Sequence, residues 1–285
     1  MIYEQVKQLP EEYVKSRIAQ FLEEDAPNGD YTCELTIDTN EIAKAKIIAQ
    51  ADLVFVGECV LPHFFNPDFQ FILKFRDGDL VLKGQTIGEI QGNKRYILLV
   101  ERTLLNLLQR MCGIANLTRE FVKLAEPFGV KILDTRKTAP GLRLFDKYAV
   151  AASGGTNHRT NLSNGVLIKD NHIANKDLKE LLTKIRENNH KGLFVELEVD
   201  TIEQLKIALG VGVDGFLLDN MSPDEIRECV QLIRSRQGSK HIFVEASGGI
   251  NLQNIHGYLD TGIDAISIGA LTHTVRAAEI HLEFE

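Results

Sequence analysis

The 285-residue chain is 44% hydrophobic and 25% charged, which are ordinary proportions for a globular protein, and it contains no low-complexity tract. Its formal charge of −8 and pI near 5.6 argue against nucleic acid as the main partner, and no apolar run approaches the roughly 18 residues of a membrane span. The N-terminus lacks a signal-peptide layout and the four cysteines are scattered. We therefore expect reduced thiols in a cytoplasmic protein, with neither a membrane nor a nucleic-acid partner.

The first 91 residues combine one helix with several β-like segments. Apolar residues at helical spacing predict an amphipathic helix over 10–25. After a break at residues 27–30, alternating apolar residues predict strands at 43–51, 53–56, 69–75 and 86–90. The pattern indicates a small mixed α/β unit, and we find no catalytic constellation in it.

A strongly apolar helix is predicted over 96–111, and a second helix over 114–126 after a break at Gly113. Arg102, Asn106 and Gln109 form one polar stripe on the first of these helices. An arginine on such a helix needs an anionic partner. One candidate is Glu101 or another acid, and the other is a ligand bound by this subunit or by a neighbouring one.

Beyond Gly113 the pattern changes to repeated strand-then-helix units. Short apolar runs predict six strands, at 131–133, 166–168, 193–199, 215–218, 242–246 and 265–268, with helical sequence between several of them. Strands that alternate with helices imply a parallel sheet. Because about 155 residues are too few for a typical eight-stranded barrel, we predict an abbreviated βα barrel, with an open doubly wound sheet as the alternative.

The stretch from Lys131 to His172 is basic, although the whole chain is acidic. It holds seven lysines and arginines against three aspartates, a local charge of +4. The cations follow short apolar runs, where strands end, and they alternate with glycine and asparagine, which let a backbone approach phosphate oxygens closely. These features favour an anionic ligand over the alternative of a solvated charged face.

Three chemical groups are expected where the strands end. The cationic group comprises Arg136, Lys137, His158, Arg159 and Lys169. The acidic group is Glu198 and Asp219, which suit a hard cation such as Mg²⁺ or an ion pair with a nearby cation, and both roles can coexist. The third group, Ser247-Gly248-Gly249 and Gly269, suits either a phosphate cradle or tight βα turns. Together the groups predict a substrate with several anionic groups, at least one of them a phosphate, handled with Mg²⁺.

Several long motifs resemble the signature of the quinolinate phosphoribosyltransferase family. In the basic stretch they are TRKTAPGLR at 135–143, KYAV at 147–150, GGTNHR at 154–159 and LIKDNH at 167–172. Shorter matches follow in order over nearly the whole chain, including ELEV at 196–199, LDN at 218–220, SGG at 247–249 and GALTH at 269–273. The resemblance implies an α/β fold: an incomplete βα barrel of about seven strands with an N-terminal α/β sandwich domain. We expect the sandwich at 1–113, with 271–285 packed on it, and the barrel at 114–270.

The resemblance also implies a reaction and roles for residues. The family transfers a phosphoribosyl group from phosphoribosyl pyrophosphate to quinolinate with decarboxylation, which yields nicotinate mononucleotide, pyrophosphate and CO₂ in NAD synthesis. Its members are homodimers or higher homo-oligomers, in which Arg102 would serve the site of the other subunit. The expected catalytic residues are Lys137, Lys169, Glu198 and Asp219, of which Glu198 and Asp219 would hold Mg²⁺. The expected substrate-binding residues are Arg102, Arg136, Lys137, His158, Arg159, Lys169, Glu198, Asp219, Ser247, Gly248, Gly249 and Gly269.

Three other functions remain as alternatives. A phosphoribosyltransferase that uses nicotinate would bind one carboxylate, which needs fewer cations than this chain offers. The molybdenum-transport-associated paralogue shares the Thr-Arg-Lys motif, but the matches at 157–159 and 169–172 point away from it. A non-catalytic sensor of phosphorylated metabolites would not need Glu198 and Asp219 together with Lys169.

Overall fold

A computed structural model of the chain describes residues 3–236 and 241–285. The helices are α1 Glu11–Asp25, α2 Tyr31–Thr36, α3 Lys94–Ala125, α4 Arg143–Ala152, α5 Asp170–Ile173, α6 Leu178–Asn188, α7 Ile202–Val211, α8 Pro223–Arg236, α9 His256–Leu259 and α10 Ala270–His273. The strands are β1 Ile42–Ala49, β2 Leu53–Val54, β3 Gln70–Leu73, β4 Leu80–Val81, β5 Thr86–Asn93, β6 Lys131–Leu133, β7 Val166–Ile168, β8 Val195–Val199, β9 Gly215–Asp219, β10 Phe243–Ser247, β11 Ala265–Ser267 and β12 Ile280–Phe284. Among the described residues, no helix combines the length and the apolar character needed to cross a membrane.

The chain forms two compact units. The first, called the barrel unit below, consists of residues 3–5, Glu120–Thr138 and Gly155–Ala270. The second, called the N-terminal unit, consists of Val6–Arg119, Ala139–Gly154 and Leu271–Glu285. Each unit therefore gathers segments that are distant in sequence, and residues 3–5 lie with the barrel strands.

The barrel unit is built on a six-stranded parallel sheet with the order β6-β11-β10-β9-β8-β7. These are the six strands predicted from the sequence, so the prediction of a parallel α/β unit is confirmed. The sheet is open, because β6 and β7 are its edges rather than neighbours. Beyond β6, Thr156 forms a single parallel bridge with Leu133. The result is an incomplete βα barrel, with one residue standing where a seventh strand would pair.

The register of the sheet sorts its side chains into rows. Leu197 pairs with Phe216, and Phe216 with Val244, so three buried apolar residues lie in one row on one face. The next row contains Glu198, Leu217 and Glu245, which by strand alternation face the opposite side. A face with two carboxylates in a buried strand layer is unusual for a core, which makes this interior face the natural place to look for a site.

The helices of the barrel unit begin at recognisable caps. Ser222 and Glu225 bond reciprocally before α8: the Ser222 backbone N–H donates to Glu225 Oε2, and the Glu225 N–H donates to Ser222 Oγ. Thr201 and Gln204 form the same capping box before α7. The helix between β10 and β11 is short and covers His256–Leu259.

The N-terminal unit contains a four-stranded antiparallel sheet with the order β12-β1-β5-β3. Strand β12 comes from the C-terminus and pairs with β1 from Ala45↔Phe284 to Ala49↔Ile280. The inward residues of β1 alternate along the strand, with Ala45, Ile47 and Ala49 all buried. This period of two is the burial pattern expected for a sheet with one covered face.

Helix α3 runs unbroken for 32 residues, so the predicted break at Gly113 was wrong. A single glycine lowers helix stability by about 1 kcal/mol, which tertiary packing along a long helix readily outweighs. Gly113 has a packing role instead. A Cβ atom at this position would lie 2.2 Å from the carbonyl oxygen of Arg276, so the backbone of the C-terminal segment can approach the helix only over a glycine.

Candidate active site

A cavity of about 380 Å³ lies at the carboxyl ends of the barrel strands. Every residue that lines it belongs to the barrel unit: Thr135, Arg136, Lys137, His158, Arg159, Leu167, Lys169, Glu198, Leu217, Asp219, Glu245, Ser247 and Ser267. Eight of these thirteen are site residues predicted from the sequence. The structure therefore brings together side chains that are spread over 112 residues of the chain.

The remaining predicted residues lie elsewhere. Gly248 and Gly249 follow β10 directly, and Gly269 lies two residues after β11, so all three stand at the same edge of the sheet without lining the cavity. Arg102 belongs to the N-terminal unit, where it is exposed on α3. It lines a separate cavity of about 420 Å³ in that unit, beside Asn106 and Arg110.

Two arginines in the cavity repel one another. Arg159 is only 7% exposed, and its Nη1 donates to the carbonyl oxygen of Gly165 at 3.4 Å. Burial and then the nearby Arg136 guanidinium lower the pKa of Arg159 from its usual value. The Nε of Arg136 is buried and, within the described part of the chain, has no hydrogen-bond partner. Cations that are crowded together with an unsatisfied donor are the arrangement expected where an anion binds.

The segment that carries Arg159 is held by a buried aspartate. The carboxylate of Asp134, just after β6, accepts hydrogen bonds from Asn157 Nδ2 at 2.7 Å and from the backbone N–H of His158 at 2.9 Å. The Asp134 N–H in turn donates to the carbonyl oxygen of Thr156. These hydrogen bonds hold the motif at 154–159 against Asp134, the residue that precedes the motif at 135–143. They thereby position the segment that carries the Arg159 guanidinium at the cavity.

The two acids of the predicted metal site are each engaged on one side. The Lys169 ammonium forms an ion pair with Glu198 Oε2, so the ion-pair alternative for this glutamate is present in the structure. Asn220 Nδ2 donates to Asp219 Oδ2 at 2.6 Å. Glu198 and Asp219 stand at the ends of neighbouring strands β8 and β9 and both line the cavity. Two adjacent carboxylates are a donor set that fits Mg²⁺, and the second oxygen of each remains for it.

The turn after β10 is built for close backbone approach. Gly248 has a φ of 95°, and a Cβ there would lie 2.2 Å from Asn220 Oδ1. Asn220 itself has a φ of 55°, in the left-handed region that non-glycine residues rarely adopt. Its N–H donates to the carbonyl oxygen of Ser247 at 2.9 Å. Asn220 therefore ties the acidic group of the site to the Ser247-Gly248 turn, a strained link of the kind that clusters at functional sites.

His158 forms a buried cluster at the cavity with Glu196 and Glu245, two glutamates that the sequence analysis did not assign to the site. His158 Nε2 is 3.4 Å from Glu196 Oε2 and 3.5 Å from Glu245 Oε2, and both glutamates are fully buried. Tyr3 donates its hydroxyl proton to Glu196 Oε2 at 2.8 Å. The available signal was the presence of glutamates inside two largely apolar strands, Glu196 beside Glu198 in β8 and Glu245 in β10, because glutamate is almost never buried without a reason.

The histidine tautomer argues that this cluster holds a proton rather than a metal ion. The three ligand atoms lie within 4.8 Å of one another, close enough to surround a cation. However, His158 Nδ1 accepts a hydrogen bond from the Arg159 N–H at 2.7 Å, so the ring proton of the neutral imidazole must lie on Nε2. A protonated Nε2 cannot ligate a metal, whereas it can donate to the two carboxylates.

The acidity of Glu245 is strongly perturbed. Burial raises its pKa to about 7; His158 opposes the rise, and the neighbouring Glu196 adds to it. His158 Nε2 lies 3.5 Å from Glu245 Oε2, and the Ser267 side chain also lowers the pKa of this carboxyl, but burial outweighs both. Because an isolated buried carboxylate is strongly disfavoured, we take Glu245 to be neutral below pH 7.

The chain matches both domains of one family. Residues 30–112 match the N-terminal domain of quinolinate phosphoribosyl transferase, and residues 114–283 match its C-terminal domain. Among named relatives, a probable nicotinate-nucleotide pyrophosphorylase [carboxylating] of Bacillus subtilis is 39% identical over 95% of this chain and 93% of its own. Quinolinate phosphoribosyltransferase [decarboxylating] 2b of Nicotiana tabacum is 39% identical over 93% of this chain and 80% of its own.

Solved structures resemble the fold over almost its full length. The nicotinate-nucleotide pyrophosphorylase of Francisella tularensis superposes with a TM-score of 0.90 at 32% identity, covering 99% of this chain and 100% of its own. The protein of the same name from Ehrlichia chaffeensis has a TM-score of 0.89 at 37% identity, covering 95% and 98%. With the strand-end cavity, the two matched domains and these neighbours in agreement, the chain belongs to the quinolinate phosphoribosyltransferase family.

Proposed function

We propose that this chain transfers a phosphoribosyl group from phosphoribosyl pyrophosphate to quinolinate with decarboxylation, giving nicotinate mononucleotide, pyrophosphate and CO₂. The protein is then a pentosyltransferase of NAD biosynthesis, and we place it in the cytoplasm. The observation that carries the proposal is the cavity at the strand ends, where four cations, Arg136, Lys137, Arg159 and Lys169, face three acids, one of which, Glu245, has its pKa raised by burial. Membership of the family supplies the reaction class.

Quinolinate would bind at the arginine side of the cavity. The molecule carries two carboxylates, which match the crowded guanidinium groups of Arg136 and Arg159. Lys137 would approach the carboxylate that later leaves. We further propose a homodimer or higher oligomer in which Arg102 of one subunit reaches the site of the next. Its exposed position on α3 suits donation to a partner.

The phosphoribosyl end would bind at the acidic and glycine-rich side. Glu198 and Asp219 are the residues that would hold Mg²⁺, which when bound neutralises the pyrophosphate as it departs. Lys169, already paired with Glu198, lies where it can contact the same pyrophosphate. The turns at Ser247-Gly248-Gly249 and Gly269 would cradle the 5′-phosphate with backbone N–H groups.

The chemistry needs positioning more than acid–base catalysis. The ring nitrogen of quinolinate forms a bond to the ribose C1 as the C1–oxygen bond to pyrophosphate breaks. The ring then carries a positive charge, so its adjacent C–C bond can break, CO₂ leaves, and the electron pair on the ring carbon takes up a proton. The residues of this chain would align the two substrates and stabilise the cationic ribosyl centre through nearby carboxylates.

The test is CO₂ release from quinolinate in the presence of Mg²⁺. We expect release only when phosphoribosyl pyrophosphate is also present, with one nicotinate mononucleotide formed per CO₂. Nicotinate replaces quinolinate in the control reaction. Turnover of nicotinate but not of quinolinate would overturn the substrate assignment, and binding of both substrates without any turnover would favour a metabolite sensor.

A further inference from the structure

Residues 3–5 lie in the opening of the barrel sheet. That opening lies between the edge strands β6 and β7, and β6 is extended only by the bridge at Thr156. An unpaired edge leaves backbone groups without the partners that a closed barrel would provide. Tyr3 and Gln5 belong to the barrel unit and contact residues on both sides of this opening.

Gln5 takes the place of a neighbouring strand. Its Nε2 donates to the carbonyl oxygen of Asn157 at 3.0 Å, and its Oε1 accepts from the Asn157 N–H at 2.7 Å. A carboxamide that bonds both backbone groups of one residue reproduces the pair of hydrogen bonds that a β-strand partner makes. The backbone of Asn157, next to His158, is thus fixed by a side chain from more than 150 positions earlier.

Tyr3 contacts the opposite side of the opening. It is only 8% exposed, and its ring stacks on His158 with 4.5 Å between the ring centroids. Its hydroxyl reaches Glu196 on β8. Gly165, just before β7, leaves room for the ring, because a Cβ there would lie 3.2 Å from Tyr3 Cε1. Tyr3 therefore packs between the His158 segment and the β7–β8 side.

We propose that Tyr3 and Gln5 are positioning residues that hold the Asn157-His158-Arg159 segment at the cavity and so set the affinity for quinolinate. The proposal rests on the function proposed above, in which Arg159 binds a carboxylate of that substrate. Without the two bonds from Gln5, the segment retains its anchor on Asp134 but can rotate about it. Because bidentate recognition by a guanidinium depends on orientation, a small rotation weakens carboxylate binding strongly.

The experiment compares three variants of the full chain. Gln5→Met keeps side-chain length and removes both bonds to Asn157, and Tyr3→Phe keeps the stacked ring and removes the bond to Glu196. Glu4→Gln, at an exposed position between them, is the matched control. Quinolinate affinity is measured by calorimetry without phosphoribosyl pyrophosphate, KM is measured for phosphoribosyl pyrophosphate, and hydrogen exchange is measured at the Asn157 amide.

For Gln5→Met we expect at least about tenfold weaker quinolinate binding, faster exchange at Asn157, and a KM for phosphoribosyl pyrophosphate within about twofold of the unmodified value. Tyr3→Phe should weaken quinolinate binding by about fivefold, which gives a milder test if Gln5→Met folds poorly. Unchanged quinolinate affinity, or an equal loss for both substrates, would overturn the proposal. If the unmodified protein bound no quinolinate, the proposed function would fall. The exchange rate at Asn157 would then decide the positioning role alone, and unchanged protection in Gln5→Met would refute it.

Discussion

Replacing Glu245 by glutamine tests whether this buried side chain at the site is protonated and neutral in the folded protein. Glutamine has nearly the same shape, but it cannot ionise. Glu245 is fully buried, and burial raises its pKa from 4.5 to about 7. His158, Glu196, Ser267 and Lys169 are the charged and polar groups that act on it. Of these, only Glu196 adds to the rise.

The sign of the pH effect follows from proton binding. Below pH 4.5 the carboxyl group is protonated in both the folded and the unfolded chain, so it contributes no pH dependence. As the pH rises from 4.5 to 7 the unfolded chain loses the proton, while the folded chain keeps it. The folded state therefore loses relative stability across this window, and the loss is complete above pH 7. A shift from 4.5 to about 7 corresponds to about 3 kcal/mol of unfolding free energy.

The assay is the thermal unfolding of the ligand-free protein at pH 5 and at pH 8. On going from pH 5 to pH 8, the free energy of unfolding of Glu245→Gln should rise by about 3 kcal/mol relative to that of the unmodified chain, which corresponds to on the order of 6 °C in Tm. Glu203→Gln, at an exposed position in the same unit, should show no such gain. A Tm difference between Glu245→Gln and the unmodified chain that stays constant from pH 5 to pH 8 would refute a neutral Glu245.

Three further experiments test other parts of the structure. Gly113→Ala should lower the free energy of unfolding by about 1–3 kcal/mol, because its Cβ would overlap the Arg276 carbonyl, and urea titration measures the loss. Asn220→Ala should raise the Mg²⁺ concentration needed for half-maximal activity by about tenfold. The substitution removes the hydrogen bond that orients Asp219, a proposed metal ligand, and alanine disfavours the φ of 55° at this position. Mn²⁺ binding, measured by electron paramagnetic resonance, makes the same comparison without turnover. Inactive Arg102→Ala and Lys137→Ala proteins, unfolded and refolded together, should recover about one quarter of the unmodified activity if Arg102 serves the partner's site.

Each of these predictions has a contrary result. An unchanged free energy of unfolding for Gly113→Ala would contradict the first prediction, because it would mean that the C-terminal segment can move away from α3. For Asn220→Gly, which tolerates the backbone angle but lacks the amide, unmodified Mn²⁺ affinity would show that the hydrogen bond to the carboxylate is irrelevant. For the mixed proteins, absence of recovery after verified subunit exchange would place Arg102 outside the partner's site.

The strands and the rim of the barrel were predictable because their signals are local. Short apolar runs at 131–133 or 215–218 differ from their flanks in the sequence itself, and parallel strands bring their carboxyl ends to one edge. Helix α3 was mispredicted at Gly113 because the reason for that glycine is a backbone segment more than 160 residues later. Strand β12 was overlooked although its five residues alternate, since a run so short at a chain end depends on its partner β1 for stability.

The parts of the site that were missed depend on contacts between distant residues. Nothing near Gln5 in the sequence indicates that its amide completes the backbone pairing of Asn157. Glu245 could be recognised as an oddity in an apolar strand, but its neutral state follows from its complete burial in the fold, to which Glu196 on another strand adds. Sequence patterns predict which residues reach a shared edge, whereas protonation and orientation are set by neighbours that only the fold brings together.

The charge balance of the cavity shows why the acids do not cancel its attraction for anions. Glu198 is paired with Lys169, and Glu245 is neutral below pH 7, so of the three acids that line the cavity Asp219 is the one left to oppose the two arginines and Lys137. Arg136 lies close enough to Arg159 to disfavour its charge, and this repulsion is relieved when a carboxylate binds between the two guanidinium groups. Anion binding is therefore strengthened because it removes a repulsion between the two arginines that exists before the ligand binds. A dianion relieves that repulsion more than a monoanion does, which is the physical reason to expect quinolinate rather than nicotinate.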